Sequence, residues 1–457
     1  MSENIKYTFK IGKSFGQKTA KDSSEYLEAA KQAAEYLEDF AVETPDGIYW
    51  KDEASSMANV TDLPDIGFYG GTGAIPYLYL ELYKVTGEEK YRDYAKKGTE
   101  YLKKHWKDQI ILVDKSFDFP KFAYTFYIGI AGIGMIIEQY YKYEKKAEDL
   151  DVLRDIAYEI IDAASAKEVG IEWNGDTSML FDGGILLYLT KVNELLKDEK
   201  IAKAVRDAAD NIVSKAEEDP RGGYAWLSTA HPNQTRVPNF ECGTAGVGYV
   251  LTLVYEATKD EKYLNAAIQA AAHLKAIAVK QGDGFLIPWH DNPNEEVIFY
   301  LSSCHGPAGT SKLFYKLYQI TGKQEYFEDI TGLYKGLRHI GAPEKQSAGY
   351  WNTTCLCCGT AGILQFLINY SLITGSEDAK NVAITAGNIL LAENDKEVKG
   401  ISFPVAYERV HPENVTKSIS YTAGGSGVAA ALAQTYLFLE GKYEWDRLYD
   451  DPYPVSQ

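Results

Sequence analysis

The chain has 457 residues, 45% of them hydrophobic and 25% charged, with a formal net charge of −18 at pH 7. These proportions suit a globular chain with a large core, and the acidic balance excludes nucleic acid or an anionic membrane surface as the main partner, since either calls for a basic face. No run of about 18 apolar residues predicts membrane insertion, and five cysteines without a secretory signal at the N-terminus predict a cytoplasmic protein with reduced thiols.

After an N-terminal extension of residues 1–23, the first predicted helix runs over Ser24–Phe40 and is assigned as the outer partner of the first inner helix. An extended piece, Gly47-Ile48-Tyr49-Trp50, then leads to the turn Gly70-Gly71-Thr72-Gly73. The apolar helix behind that turn stops at Val85-Thr86-Gly87, where Gly suits a C-cap. A more polar helix over Glu89–Lys103 carries Ala, Leu and Tyr at three- and four-residue spacing. The same order of outer helix, extended arm, Gly turn and inner helix then recurs.

Its further turns are Gly129-Ile130-Ala131-Gly132, Phe181-Asp182-Gly183-Gly184, Gly243-Thr244-Ala245-Gly246, Gly306-Pro307-Ala308-Gly309, Gly359-Thr360-Ala361-Gly362 and Gly424-Gly425-Ser426-Gly427. First positions are separated by 59, 52, 62, 63, 53 and 65 residues, and the third turn is degenerate, with Phe181 in place of its first Gly. Outer helices are predicted over Lys262–Ala276 and Gln324–Leu337, and arms over Gly284–Trp289 and Gly349–Trp351. The fourth inner helix begins with the nearly all-apolar Val247–Val254, which fits a helix surrounded by others. Seven such units predict an all-α fold, an (α/α)7 toroid or barrel of seven helical hairpins, with the inner helix N-termini converging at one end. No linker divides the chain, so one domain over 1–457 is expected, with 442–457 as a C-terminal tail. Glycine in tight arm-to-helix turns needs no functional explanation, and no Gly-Lys-Ser/Thr follows to make a P-loop.

Four of the five cysteines fall in turns five and six, just ahead of the apolar helices predicted at Lys312–Ile320 and Ile363–Leu372. Cys304 and Cys357 sit two positions before the first Gly of their turns, and His305 and Cys358 one position before it. A catalytic zinc needs about three protein ligands and an open fourth position, and favours Cys sulfur and His nitrogen. The shared placement points to Zn2+ held by Cys304, Cys357 and Cys358, whereas Cys355, earlier in its arm, reads as a buried core cysteine. Helix N-termini behind these turns favour thiolate.

These turns, with Cys304-His305-Gly306 in the fifth and Cys357-Cys358-Gly359 in the sixth, resemble the lanthionine synthetase C-like (LanC-like) cyclases from about Ser24 to Gly441. The resemblance implies a zinc at the mouth of an (α/α)7 barrel that binds the thiol of a peptide Cys. That thiol adds to dehydroalanine or dehydrobutyrine and closes a thioether ring. Members usually carry Cys-His-Gly in repeat six; here Cys358 replaces the His, as in a three-cysteine variant of the site. Three thiolates leave zinc at net −1, which lessens its Lewis acidity and leaves a substrate sulfur more nucleophilic.

The acid–base set departs from the family's. Cys242 stands where a His precedes the first Gly of repeat four, and Thr177, with Asp176 adjacent and Asp182 close by, stands where an Asp is usual. Tyr300 replaces an Arg, and His305 an aromatic residue. His305 is the first candidate for the proton that ends the addition, or alternatively a fourth ligand; His290, Asp176 and Cys242 are further candidates. His231 and Arg236 lie in a loop able to touch a peptide. The expected activity is a zinc-dependent cyclase acting on a dehydrated precursor peptide, with dehydration left to a separate dehydratase. Alternatives are addition of glutathione or another small thiol to dehydroamino acids in proteins, a non-catalytic peptide-binding scaffold, and a carbohydrate-active barrel. The last needs paired carboxylates across the cavity, and acids are scarce at the turn mouths.

Overall fold

The structure is a computed structural model and describes residues 18–229, 236–292, 297–345, 350–351, 353–406, 411, 414–442 and 445–454. Fourteen helices occur among the described residues. They are α1 Ser24–Glu38, α2 Ile75–Thr86, α3 Glu89–Ser116, α4 Ile130–Glu144, α5 Ala147–Asp162, α6 Asp182–Leu196 and α7 Glu199–Ser214 in the first half. The second half holds α8 Thr244–Thr258, α9 Glu261–Ile277, α10 Pro307–Thr321, α11 Gln324–His339, α12 Thr360–Thr374, α13 Glu377–Ala392 and α14 Gly425–Leu439.

The even-numbered helices form an inner ring: each packs on the next, and α14 closes on α2. Their sequences explain the placement, since α12 buries 12 residues around its whole circumference while the outer α7 buries only one stripe, including Ile201, Ala204, Val205, Ala208, Ala209 and Ile212. Six hairpins pair consecutive helices, α2 with α3 through α12 with α13. The seventh corrects the sequence expectation. The main partner of α1 is α14, so the chain's first helix completes the last hairpin and closes the ring, although Tyr79 of α2 still donates to the Ala34 carbonyl at 2.9 Å. Local periodicity marks a helix but not which distant helix it covers.

The Gly stops at Gly87, Gly322 and Gly375 are left-handed C-caps with φ of 71°, 67° and 66°. In hairpins two to four, Lys145, Lys197 and Lys259 take the same conformation. Asp198, Asp260 and Ser376 cap the N-termini of α7, α9 and α13. The predicted arms are two-stranded ribbons such as Ala41–Thr44 with Gly47–Trp50. One pair is parallel, Phe299–Tyr300 beside Tyr350–Trp351, and it ties together the arms of turns five and six.

Helix α3 outruns its expected end at Lys103 because Trp106, Gln109, Leu112 and Val113 keep the buried stripe going beneath a basic run. Its last turns join Met57, Phe122, Ala123 and Phe181 in a small second core near the mouth. The C-terminal segment is more than a tail. Trp445, Tyr449 and Tyr453 are buried and belong to the main core, with the Tyr77 hydroxyl donating to the Asp446 carbonyl (2.6 Å), Tyr249 to that of Tyr449 (2.8 Å) and Tyr453 to Ser311 (2.7 Å). This segment stops the ring at the end away from the turns. Among the described residues, no helix is long and apolar enough to cross a membrane.

Candidate metal centre

The turns build the site through their backbones. The amides of Thr72, Thr244, Thr360 and Gly425 each reach back seven residues to the carbonyls of Asp65, Val237, Thr353 and Ser418. That register makes Gly71, rather than Gly70, the first glycine of turn one. A Cβ on Gly71, Gly129, Gly243, Gly359 or Gly424 would lie 1.9–2.4 Å from an arm atom, so only glycine lets these helices start so close to their arms.

Two positions ahead of each first glycine is a collar residue: Tyr69, Tyr127, Glu241, Cys304, Cys357 and Thr422, with Leu180 in the shortened third turn. Amide-to-carbonyl bonds run from Tyr69 to Tyr127 (2.8 Å), Leu180 to Glu241 (2.9 Å), Glu241 to Cys304 (2.9 Å), Cys304 to Cys357 (3.1 Å) and Cys357 to Thr422 (3.0 Å). Tyr127, Glu241, Cys304, Cys357 and Thr422 line a central lumen of about 80 Å3, whose far wall is the C-terminal segment, including Trp445 and Asp450.

The collar places Cys304 beside Cys357, and Cys358 joins them. The Sγ atoms of Cys304 and Cys358 are 3.5 Å apart, those of Cys357 and Cys358 3.2 Å, and all three sulfurs lie within 4.8 Å of one another. These separations exclude disulfides, which need about 2.05 Å. All three thiols are buried. Burial opposes their ionisation. Cys304 is nevertheless carried below the usual thiol range by the Cys357 and Cys358 thiols, while those two are held well above it. Three buried sulfurs packed chiefly against one another are a poor use of a core site, and a cation would turn all three into ligands. Tetrahedral Zn–S bonds of about 2.3 Å put sulfurs about 3.8 Å apart, so a small spreading of this triad fits zinc. The soft sulfur set also suits that ion, and Cys304 and Cys357 face the lumen, where a fourth position would open. Cys355 is fully buried and its thiol is pushed up to about 12, chiefly by burial.

Two polar groups that sequence reasoning missed touch the triad. The Tyr69 hydroxyl lies 2.7 Å from Cys357 Sγ, and Glu241 Oε2 lies 3.8 Å from the same sulfur. Burial first, then Cys357 and Asp450, push the Glu241 carboxyl well above its usual range against the pull of Lys312. The Lys312 ammonium sits 3.2 Å from Asp450 and 4.7 Å from the centre of the Phe240 ring. Glu241 shares the offset of Cys304 and Cys357 and was legible by that rule. Tyr69 was hidden by the one-residue error in the first turn's register.

The remaining candidates are spread around the mouth. The His305 ring packs 5.5 Å from that of Tyr300 and 6.3 Å from that of Trp289, and its nitrogens do not come within 4.8 Å of all three sulfurs. His290 is buried with its ring 5.2 Å from Trp289. The Asp176 carboxylate accepts from the amides of Ser178 and Thr229 and the hydroxyls of Ser228 and Thr229, which makes it a loop anchor. Asp182 likewise accepts from the amides of Trp173, Asn174 and Gly175, and burial raises it to about 6. Cys242 is buried, and burial, Glu241, Asp176 and Cys357 hold its thiol well above the ordinary value. Arg236 pairs with Glu217 and Asp219 (2.9 Å each), and His231 lies outside the described residues. Asp219, His273 and Asp291 also converge, but Arg221 donates to both carboxylates and takes the place of a cation.

The sequence pattern of the family described as "Lanthionine synthetase C-like protein" matches residues 120–354 and 304–437. A curated relative, the lacticin 481/lactococcin biosynthesis protein LcnDR2 of Lactococcus lactis subsp. lactis, is 22% identical over 251 residues. That match covers 54% of this chain and 24% of the relative, so the chain spans about a quarter of its length. Among solved structures, a nisin cyclase superposes with a TM-score of 0.55 at 15% identity, covering 83% of this chain and 93% of that one. The Lin0763 protein from Listeria innocua gives 0.50 at 14%, covering 91% and 98%. Both likenesses concern the fold.

Proposed function

The chain belongs to the lanthionine synthetase C-like family, and on that premise we propose that it is a zinc-dependent cyclase joining peptide Cys thiols to dehydroalanine or dehydrobutyrine. The observation that carries this reading is the convergence of the Cys304, Cys357 and Cys358 sulfurs at the collar, two of them facing the lumen. Bound to these three sulfurs, zinc supplies a Lewis acid that lowers the pKa of an incoming thiol so that its thiolate is present near neutral pH.

The protein's own groups account for the rest. The thiolate forms a bond to the β-carbon of the dehydro residue, the C=C pair moves toward the amide carbonyl, and a proton must reach the α-carbon. The thiol's own proton leaves to water through the mouth. Glu241 is the collar side chain best placed to supply the new one, since it is an acid beside Cys357 and borders the lumen. The Tyr69 hydroxyl steadies the Cys357 sulfur as an outer-sphere partner. Lys312, pinned by Asp450, sets a positive charge on the lumen wall toward which developing enolate charge is drawn. His305, with Tyr300 and Trp289, forms an aromatic flank beside Cys304 suited to holding the peptide.

The test is to incubate zinc-loaded protein with a synthetic peptide bearing one dehydroalanine and one Cys. Alkylatable thiol should disappear without a change in peptide mass, and Cys304→Ala should abolish turnover while leaving peptide binding. Thiols that stay free with the wild type overturn the reading.

A further inference from the structure

Resting on the cyclase reading and deepening it, we propose that a cavity at the mouth between turns one, two and seven is a subsite for an apolar residue next to the dehydroamino acid, kept open by Gly70. Space is the first argument. The lumen, at about 80 Å3, holds a few waters but no length of peptide, so the reacting chain must lie across the mouth. The mouth cavity measures about 430 Å3, within the range of small-ligand sites.

Continuity with the sulfurs is the second. Tyr127 lines both spaces, and Tyr69, which also borders the mouth cavity, places its hydroxyl 2.7 Å from Cys357 Sγ. A residue seated here is one aromatic ring away from the Cys357 sulfur of the triad.

The wall sets the chemical class. Met57, Phe117, Phe122 and Ile128 supply apolar surface, and Ser55, Ser418 and Ser420 a few hydroxyls. Among the described residues, the one acidic or basic side chain on the wall is Asp65, already bonded by the Ser55 hydroxyl (2.7 Å), the Gly67 amide (3.0 Å) and Gln109 (3.0 Å). The described wall, mostly apolar with one acidic group and no basic one, favours an uncharged apolar side chain and disfavours an acidic one.

Gly70 shows that the space is kept. It occupies the position filled by Cys242, His305 and Cys358 in turns four to six. A Cβ on Gly70 would meet nothing within 4 Å, and its φ lies outside the left-handed region, so neither packing nor conformation requires glycine. What a side chain there would do is fill the cavity it borders.

The experiment uses two fluorescein-labelled synthetic peptides, each with one Cys and one dehydroalanine, identical except for Leu or Asp beside the dehydroalanine. Binding to the zinc-loaded protein is read by fluorescence anisotropy. The wild type is expected to bind the Leu peptide about tenfold or more tightly than the Asp peptide, the scale of burying one such side chain. Gly70→Leu should bring the Leu peptide down to the Asp peptide's affinity, Gly70→Ala should change it little, and both variants should keep the wild-type Tm and zinc content. Equal binding of the two peptides, no binding of either, or a Gly70→Leu variant that binds like the wild type overturns the subsite. If the preference and its loss in Gly70→Leu are seen but no thioether forms, the cyclase reading falls and the subsite stands.

Discussion

Tyr69 and Cys357 lie 288 residues apart in the chain, yet the tyrosine hydroxyl sits 2.7 Å from the cysteine sulfur. Both are collar residues, one on the first turn and one on the sixth, brought together by closure of the helical ring. Removing the hydroxyl in Tyr69→Phe leaves the sulfurs in place, so zinc content should stay at the wild-type level. Turnover should fall by about tenfold or more, the usual effect of losing an outer-sphere partner. Elemental analysis with thiol-loss kinetics on the same preparation checks both.

The cysteines should divide sharply. Cys357→Ala removes a sulfur from the triad and should strip the zinc and the activity together. Cys355→Ala, a change at a fully buried cysteine outside the triad, should keep zinc and cost about 1–2 kcal/mol of stability from lost packing. Prolonged dialysis against a strong chelator should reproduce the Cys357→Ala phenotype in the wild type and be reversed by added zinc.

Glu241→Gln tests proton delivery. The amide keeps the size and the contact with Cys357 but has no acidic proton to give, so kcat should drop about 100-fold, within the usual span for a general acid. Zinc content and peptide KM should change little. Loss of zinc in this variant would make Glu241 a support for the sulfurs instead.

The C-terminal segment should behave as part of the core. Trp445 is 4% exposed against Tyr77 and borders the lumen. Trp445→Ala should cost about 3–5 kcal/mol, visible as a large fall in Tm, and should make the chain beyond Gly441 sensitive to protease.

Glu81 ties that segment to α2 and should give it a pH dependence. Its carboxylate accepts from the Asp446 amide at 3.1 Å and from Lys84 at 2.7 Å, and burial raises it to about 7 from 4.5. The folded protein thus holds this proton more tightly than the unfolded chain. The stabilisation is fully present below about pH 4.5 and is lost as pH rises through about 7, a change on the order of 3 kcal/mol. Urea unfolding between pH 5 and pH 8 should show a steeper loss for the wild type than for Glu81→Gln.

Much of this was legible in the chain itself. Seven Gly turns, the apolar helices behind them and the caps at Gly87, Gly322 and Gly375 follow from local sterics and periodicity. The pairing of Cys304 with Cys357 could also be read, because equal offsets in a repeat become equal positions on a ring. Three-dimensional closure decided the rest. That α1 covers α14, that Tyr69 and Glu241 meet Cys357, that residues 445–453 stop the lumen and that Gly70 faces open space all depend on contacts between distant segments. Backbone sterics and side-chain periodicity act over a few residues and are written in the chain, whereas which surfaces meet is set by the lowest-energy packing of the whole ring.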